Sequence, residues 1–384
     1  MKLLSNRAGH LYHVQSDYQC YVPTPLNEVA IEMDNEMIEL LGEANNWIGK
    51  LDGISYNLPE RNIFISMYVQ KEAVVSSQIE GTQASLSDVL QINKKSNEKR
   101  IETEEIVNYV HALNYGIDKL NELPISMRYL KEIHSELLKG VRGSTKNPGE
   151  LRHSHNWIGP IGCNLLNATY IPPSVDIMHD SLSDLEKYIN SDYNLPKLIK
   201  IALIHYQFET IHPFLDDNGR LGRLLIPLWL KENNILEYPL LYLSLYFKQN
   251  RTEYYELLMD VRFKGYYEAW IKFFLKGVCS MSQNAYNAIV LINNIKKKTM
   301  NKIDNMSIIN KSKYYKSVNF LYIHPYFDSK DLQEKLKISK PTASKIIEEL
   351  FNLKIISKNS KKERYVTYRF DEYVDVLEKG TEFQ

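Results

Sequence analysis

The chain has 384 residues, 44% of them hydrophobic, enough for two or three domains with real cores. Lys plus Arg and Asp plus Glu number 47 each, so the formal net charge is zero and no global footprint for nucleic acid or membrane is present. Three scattered cysteines, Cys20, Cys163 and Cys279, are too few for a disulfide frame or a zinc site and fit a reducing cytoplasm. The opening Met1 to Arg7 is too short in apolar residues for a secretory leader, and no apolar run approaches a membrane span.

Residues 1 to 30, with Pro23 and Pro25, read as an extended lead-in. From Asn27 to Leu51 the apolar positions, among them Val29, Met33, Met37, Leu41 and Trp47, suit one or two helices. Breaks follow at Asp52-Gly53 and Leu58-Pro59-Glu60. A helix is predicted from Asn62 to Ile79, ending in Ser76-Ser77-Gln78-Ile79-Glu80-Gly81-Thr82. Glu80 sits beside a stop glycine, where a helix least favours negative charge. It is either an ordinary exposed acid or one with a partner. Ala84 to Ile92 is a short amphipathic segment, and Lys94 to Arg100 reads as a solvated charged loop. Helices follow over Glu102 to Asn121 and Met127 to Leu138.

Residues 148–159 are loop-rich, and Ala168 to Pro173 reads as a short strand ending in prolines; the two make a hairpin about a glycine-containing turn. His153 and His155 lack a third ligand nearby, so loop polarity is the simpler reading than a metal pair. Ser181 to Tyr188 is helical. The next helix opens on Pro196 and runs, strongly apolar, to Glu209, with His205 read as a core histidine.

That helix delivers the chain to Thr210-Ile211-His212-Pro213-Phe214-Leu215-Asp216-Asp217-Asn218-Gly219-Arg220-Leu221-Gly222-Arg223. Pro213 and the Asp-Asp-Asn-Gly cluster mark a loop. Leu221, Leu224, Leu225 and Leu228 then restore helical spacing as far as about Asn233. Asn218 is the expected N-cap, with Gly219 and Arg220 in the first turn. The unpaired amides and positive dipole end there suit an anion. Arg220 and Arg223, three apart, project from one side, and two forked guanidiniums suit a polyphosphate. Asp216 can hold a hard cation such as Mg²⁺, which needs only one or two protein carboxylates beside phosphate oxygens. His212, just outside, can act as general base on a hydroxyl. Singly, each residue reads as a structural histidine or a surface ion pair; together, in one loop-to-helix unit, they point to a site.

This stretch resembles the Fic family signature, His-Pro-Phe-x-Asp-Gly-Asn-Gly-Arg-x-x-Arg, at every fixed position except Asp217, where the family usually has glycine. The resemblance implies a protein adenylyltransferase that moves AMP from ATP, with Mg²⁺, to a Ser, Thr or Tyr hydroxyl of a target protein. It makes His212 catalytic, Asp216 the metal ligand, and Phe214, Asn218, Gly219, Arg220 and Arg223 the nucleotide-binding set. Ser76, Glu80 and Gly81 resemble the family's inhibitory motif, Ser/Thr-x-x-x-Glu-Gly/Asn, in which the glutamate pairs with the second signature arginine, here Arg223. In some relatives that glutamate also supports AMP removal. The hairpin near 156–172 resembles the Fic flap, which takes a target segment as an added strand. Aspartate tolerates a left-handed backbone, so Asp217 preserves the loop. Its carboxylate faces solvent, joins the metal shell or alters nucleotide choice.

Leu240 to Phe247, Arg251 to Arg262, Tyr267 to Gly277 and Ser282 to Lys298 read as further helices, and the polar stretch from Lys296 to Lys313 as a boundary. Helices over Tyr314 to Tyr322, Ser329 to Leu336 (N-capped by Ser329) and Pro341 to Leu350, then strands over Lys354 to Ser357 and Arg364 to Phe370, resemble a winged helix-turn-helix. Residues 329–370 offer Lys340, Lys345, Lys358, Lys361, Lys362 and Arg364 for DNA contacts, though such folds also serve protein contacts and dimerisation.

The expectation is a mainly α chain: a Fic helical core with a β-hairpin flap, plus a C-terminal winged helix-turn-helix. Residues 1–95 form an N-terminal region with the inhibitory helix, 96–285 the catalytic core, and 286–384 a linker helix and the winged helix. The expected function is a cytoplasmic adenylyltransferase held down by Glu80, binding a target protein and no membrane, with DNA or a second copy of the chain as further partners. The alternative is a DNA-binding transcriptional regulator whose core senses nucleotide. No P-loop pattern appears.

Overall fold

Apolar side chains recur at three- and four-residue spacing over most of the chain, and helices result. In order they are α1 (Asn35–Ser55), α2 (Arg61–Ile79), α3 (Leu86–Leu90), α4 (Asn97–Lys119), α5 (Met127–Leu137), α6 (Val175–Ile189), α7 (Lys197–Ile211) and α8 (Asn218–Glu232). Then come α9 (Ser244–Gln249), α10 (Arg251–Lys264), α11 (Tyr267–Asp304), α12 (Ser312–Ile323), α13 (Ser329–Leu336), α14 (Lys340–Asn352) and α15 (Asp371–Glu378). The strands are β1 (His10–Val14), β2 (Tyr18–Val22), β3 (Tyr326–Asp328), β4 (Ser357–Lys358) and β5 (Thr367–Arg369). This computed structural model describes all residues except 1, 2, 4, 15–17, 57, 59, 60, 92–96, 161, 193, 309, 360–365, 383 and 384.

The core is built around α7, buried at every position from Leu198 to Ile211. A helix apolar all round has no solvent face and belongs inside. Helix α8 packs back on α7, α4 and α5 flank α8, and α2 lies against α4, α8 and α9. The Trp270 ring of α11 is fully buried against His205 and Phe247, and its indole N–H donates to the Ala202 carbonyl of α7 at 2.8 Å. His205 is the core histidine expected: Nδ1–H donates to the Gly222 carbonyl at 2.9 Å and Nε2 accepts from the Tyr254 hydroxyl at 3.0 Å.

Several elements differ from the sequence expectation. The lead-in contains an antiparallel hairpin, with His10 opposite Val22. Helix α1 runs through Asp52-Gly53, because glycine weakens a helix without ending it when packing holds both sides. Helix α4 starts at Asn97, so its first turn takes in part of the expected charged loop; 94–96 lie outside the described residues. The two helices expected after residue 266 are one, α11, whose buried Ile289, Ile292, Ile295, Thr299 and Ile303 extend the packed stripe into the lysine-rich stretch. Among the described residues the expected hairpin carries one antiparallel bridge, between Ile158 and Tyr170, not a two-stranded ladder. His153 is exposed beside Glu150, and among the described residues no cluster of three or more metal-ligating side chains occurs.

In the last segment β3, β5 and β4 form a three-stranded antiparallel sheet beside α12, α13 and α14. Asp328, not Ser329, caps α13, in a reciprocal capping box with Asp331. Two elements lie outside the sequence expectation: β3, whose three residues show too little alternation to register, and α15. Lys361, Lys362 and Arg364 lie outside the described residues. Helix α15 folds back on α2 and α11. Beyond it, the Lys71 ammonium donates to the Lys379 carbonyl at 2.6 Å, Gln78 Nε2 to the Thr381 carbonyl at 3.1 Å, and Lys248 to the Glu382 carbonyl at 2.7 Å. No described helix is long and apolar enough to cross a membrane.

Trp270 joins α7, α9 and α11, so Trp270→Ala should cost about 3–5 kcal/mol of unfolding free energy. Urea unfolding checks this; a loss of the size seen for surface substitutions would contradict the packing described.

Candidate active site

The site is a loop between two buried helices, bent at both ends by residues in the left-handed region. His212 closes α7 at φ 51°, and its amide donates to the Phe208 carbonyl at 3.0 Å. Asp217 precedes α8 at φ 62°, ψ 15°. The N-cap position therefore falls on Asp217, which makes no side-chain cap bond, and not on Asn218. The Asn218 side chain is used elsewhere. It turns back into the loop, accepting from the Phe214 amide and donating to the Phe214 carbonyl, both at 2.9 Å.

Groups that the sequence reading did not single out hold the loop from outside. Arg152, 1% exposed, donates from Nε to the His212 carbonyl at 3.0 Å, and its amide donates to the Pro213 carbonyl at 2.9 Å. Asn156 Nδ2 donates to the carbonyls of His212 and Phe214 at 3.2 and 3.0 Å. His134 stacks on the Phe214 ring with centroids 3.9 Å apart; Nε2–H donates to the Asp216 carbonyl at 3.1 Å and Nδ1 accepts from the Gly149 amide at 2.9 Å. Arg262 lies 4.0 Å over the Tyr170 ring, and the Tyr170 hydroxyl donates to the Thr210 carbonyl at 2.7 Å. Phe214 is thus buried in the core, with its ring stacked on His134.

Helix α2 brings its C-terminal end to the first turn of α8. Arg223 Nη2 donates to Glu80 Oε1 at 2.7 Å and to the Ser76 carbonyl at 3.0 Å, and Nε donates to Ser76 Oγ at 2.9 Å. The Arg223 guanidinium is 2% exposed and the Glu80 side chain 33%. Gly219 allows the approach, since a Cβ there would lie 2.3 Å from Glu80 Oε1. Gly81, at φ 95°, turns the chain out of α2. Asp217 does not face solvent, its side chain being 6% exposed. Its carboxylate is buried in a bidentate pair with Arg220, one contact being Nε to Oδ1 at 2.7 Å. Glu105, on α4, lies 4.0 Å from Arg220 Nη1.

These charges set the protonation states. Burial, with Arg262 and Arg152 nearby, pushes the His212 imidazole down to about 4, so it is neutral near pH 7. Burial alone would raise the Glu80 carboxyl, but Arg223, with Arg220 and His212 behind it, holds it below its usual value. Burial pushes Glu209, beneath Gly222, and Glu72, bonded to Ser244 and Tyr109, each up to about 7 despite Arg223. Asp216 is partly exposed; Oδ1 accepts from the Asp217 amide at 2.9 Å, and Oδ2 lies where a Cβ on Gly143 would come within 3.0 Å. A lone accessible carboxylate without a protein cage fits a hard cation that takes its other ligands from water and phosphate.

The fold therefore gathers His212, Asp216, Asn218, Gly219, Arg220, Arg223, Ser76 and Glu80 into one site. Residues 38–118 match the Fic/DOC family N-terminal model and residues 124–230 the Fic/DOC family model. The chain belongs to the Fic/DOC family. Among curated relatives, protein adenylyltransferase Fic of Drosophila virilis is 24% identical over 233 residues, 60% of this chain and 43% of that protein. The probable protein adenylyltransferase of Aquifex aeolicus is 25% identical over 179 residues, 45% of this chain and 51% of that one. This Fic/DOC chain thus spans about half or less of the curated relatives it matches. A solved Fic family protein from Desulfovibrio desulfuricans superposes with TM-score 0.57 at 19% identity, covering 88% of this chain and 97% of that one. A Fic domain containing signaling protein from Bacteroides thetaiotaomicron gives TM-score 0.50 at 16% identity, covering 66% and 97%. At these identities the likeness is one of fold.

Removing Arg152 orphans buried carbonyls of the loop, each worth about 1–3 kcal/mol. Arg152→Ala should therefore lower the melting temperature, and Arg152→Lys, which lacks the planar fork, should not restore it. Full rescue by lysine would show that charge alone matters there.

Proposed function

We propose that this chain is a protein adenylyltransferase, moving AMP from ATP to a Ser, Thr or Tyr hydroxyl of a target protein, with Glu80 holding it in check. The observation that carries this reading is a neutral His212 beside a helix N-terminus that presents Arg220 and Arg223. In this reading the target lies along residues 156–172. Its hydroxyl oxygen bonds to the α-phosphorus while His212 takes the proton; the bond from that phosphorus to the bridging oxygen breaks, and pyrophosphate leaves. The amides of Asn218, Gly219 and Arg220 receive phosphate oxygens. Asp216 would hold the Mg²⁺, which would supply positive charge to offset that of the phosphates. Arg223 meets the γ-phosphate once Glu80 has left it. An ionised Glu80 close to His212 also suits removal of AMP from a modified target.

The domain reading keeps residues 1–95 as the inhibitory region, 96–285 as the core and 286–384 as a linker with a winged helix, in a cytoplasmic protein. The second reading, a DNA-binding regulator that senses nucleotide, is favoured by one observation: Lys340 and Lys345 are both exposed on α14. Glu348 is exposed on the same helix and weakens a purely basic footprint. In the dimer option, the same segment meets a second copy.

Glu80→Gly protein given Mg²⁺ and labelled ATP should label itself well above wild type, and adding His212→Ala should abolish the label while leaving ATP binding largely intact. Label that survives loss of His212 would remove it as the base. With His212 ionising near 4, the transfer rate should stay flat from pH 8 down to about pH 5, because the base is neutral throughout; a fall beginning at pH 7 would contradict this. If residues 329–370 bind DNA, Lys340→Ala with Lys345→Ala should weaken it and flatten its salt dependence. Wild-type protein that binds no duplex at low salt would remove the second reading.

A further inference from the structure

We propose that Asp217 is a second lock on the phosphate cradle, doing to Arg220 what Glu80 does to Arg223. This rests on the adenylyltransferase reading and adds a control that lies outside α2. The Asp217 carboxylate covers the Nε–Nη2 edge of Arg220, with Oδ1 2.7 Å from Nε. That edge is the fork with which an arginine takes two phosphate oxygens. The remaining nitrogen, Nη1, has no hydrogen-bond partner among the described residues and lies 4.0 Å from Glu105. Asp217 and Arg220 are 6% and 2% exposed, so water screens their attraction little.

The backbone gives the second argument. Position 217 sits at φ 62°, where glycine is the low-cost residue and aspartate is merely tolerated. The carboxylate is therefore not needed for the shape of the loop. It adds a negative charge to a cradle in which Glu80 and Glu105 already face the two arginines. A polyphosphate entering the first turn of α8 must displace the Asp217 pair as well as the Glu80 pair. The two pairs come from different elements: Asp217 and Arg220 are three residues apart at one helix start, while Glu80 arrives just past the end of α2. Withdrawal of α2 therefore frees only one arginine, and Asp217 sets the affinity that remains. It is a positioning residue, acting on substrate through Arg220.

The test compares Glu80→Gly protein with the same protein carrying Asp217→Gly or Asp217→Asn. Calorimetry reads the affinity for Mg²⁺-ATP, self-labelling gives KM and kcat, and thermal melts establish folding. The asparagine variant tolerates the left-handed backbone and keeps the test alive if the glycine variant is unstable. Asp217→Gly should tighten nucleotide binding about tenfold, the size of one charge-assisted contact. Asp217→Asn should fall between, KM should drop far more than kcat rises, and the Mg²⁺ concentration for half-maximal binding should hold steady. Unchanged or weaker binding would overturn the lock. So would a raised Mg²⁺ requirement, which would make the carboxylate a metal ligand. Binding that tightens without any label in the Glu80→Gly protein would uphold the lock while sinking the transferase reading; absence of binding in every variant would sink both.

Discussion

A buried guanidinium governs this structure. Arg223 is almost fully enclosed, and an enclosed charge without partners costs several kcal/mol. Ser76 of α2, with both hydroxyl and carbonyl, and Glu80, one residue past its end, with its carboxylate, meet that demand. Glu72 and Glu209, close enough to feel Arg223, are pushed toward neutrality by burial, so Glu80 is the partner that stays ionised. The N-terminal region is thereby tied to the core by charge as well as by apolar packing. On the proposed reading, Glu80 and a γ-phosphate are alternative answers to one electrostatic requirement, which is why an inhibitory glutamate and a substrate phosphate compete without further machinery.

The loop between α7 and α8 owes its shape to different forces. Left-handed residues at both ends reverse the chain twice within six positions, His212 to Asp217. Such backbone persists only where the surroundings over-determine it. Here Arg152, Asn156 and the Asn218 side chain take up the loop carbonyls, and His134 and Phe214 stack beneath it. The same arginines that brace the loop, Arg152 and Arg262, also disfavour a second positive charge on His212. Structural support and the neutral state of the imidazole thus share a cause.

Helix α2 is held on its other side as well. The segment after α15 receives hydrogen bonds from Lys71 and Gln78 of α2 and from Lys248 of α9. Gln78 also accepts from Lys248 at 2.8 Å, so the face of α2 away from Arg223 is tied to the C-terminal segment through side chains two residues from Glu80. Helix α2, with Glu80 just past its end, is therefore packed between the core and α15.

The fold class and the site were legible in the sequence where the relevant residues are contiguous. From His212 to Arg223 the chain runs loop to helix, so spacing alone places the arginines on one face and the amides at the dipole end. The apolar run of α7 likewise announced a core helix and its buried His205. What lay beyond reach was whatever depends on partners distant in sequence. Spacing left Glu80 as either a bare surface acid or a paired one; tertiary structure brings it to Arg223, 143 positions away. Arg152 was one loop arginine among many until the fold closed it on His212, 60 positions on. The N-cap was misplaced because Asn218 has a better use for its side chain inside the loop. The Asp217 carboxylate stayed open among solvent, metal and nucleotide roles until burial turned it onto Arg220. Local chemistry is written in order along the chain, but which charges meet is decided by packing, since burial makes an unpaired charge too costly to leave alone.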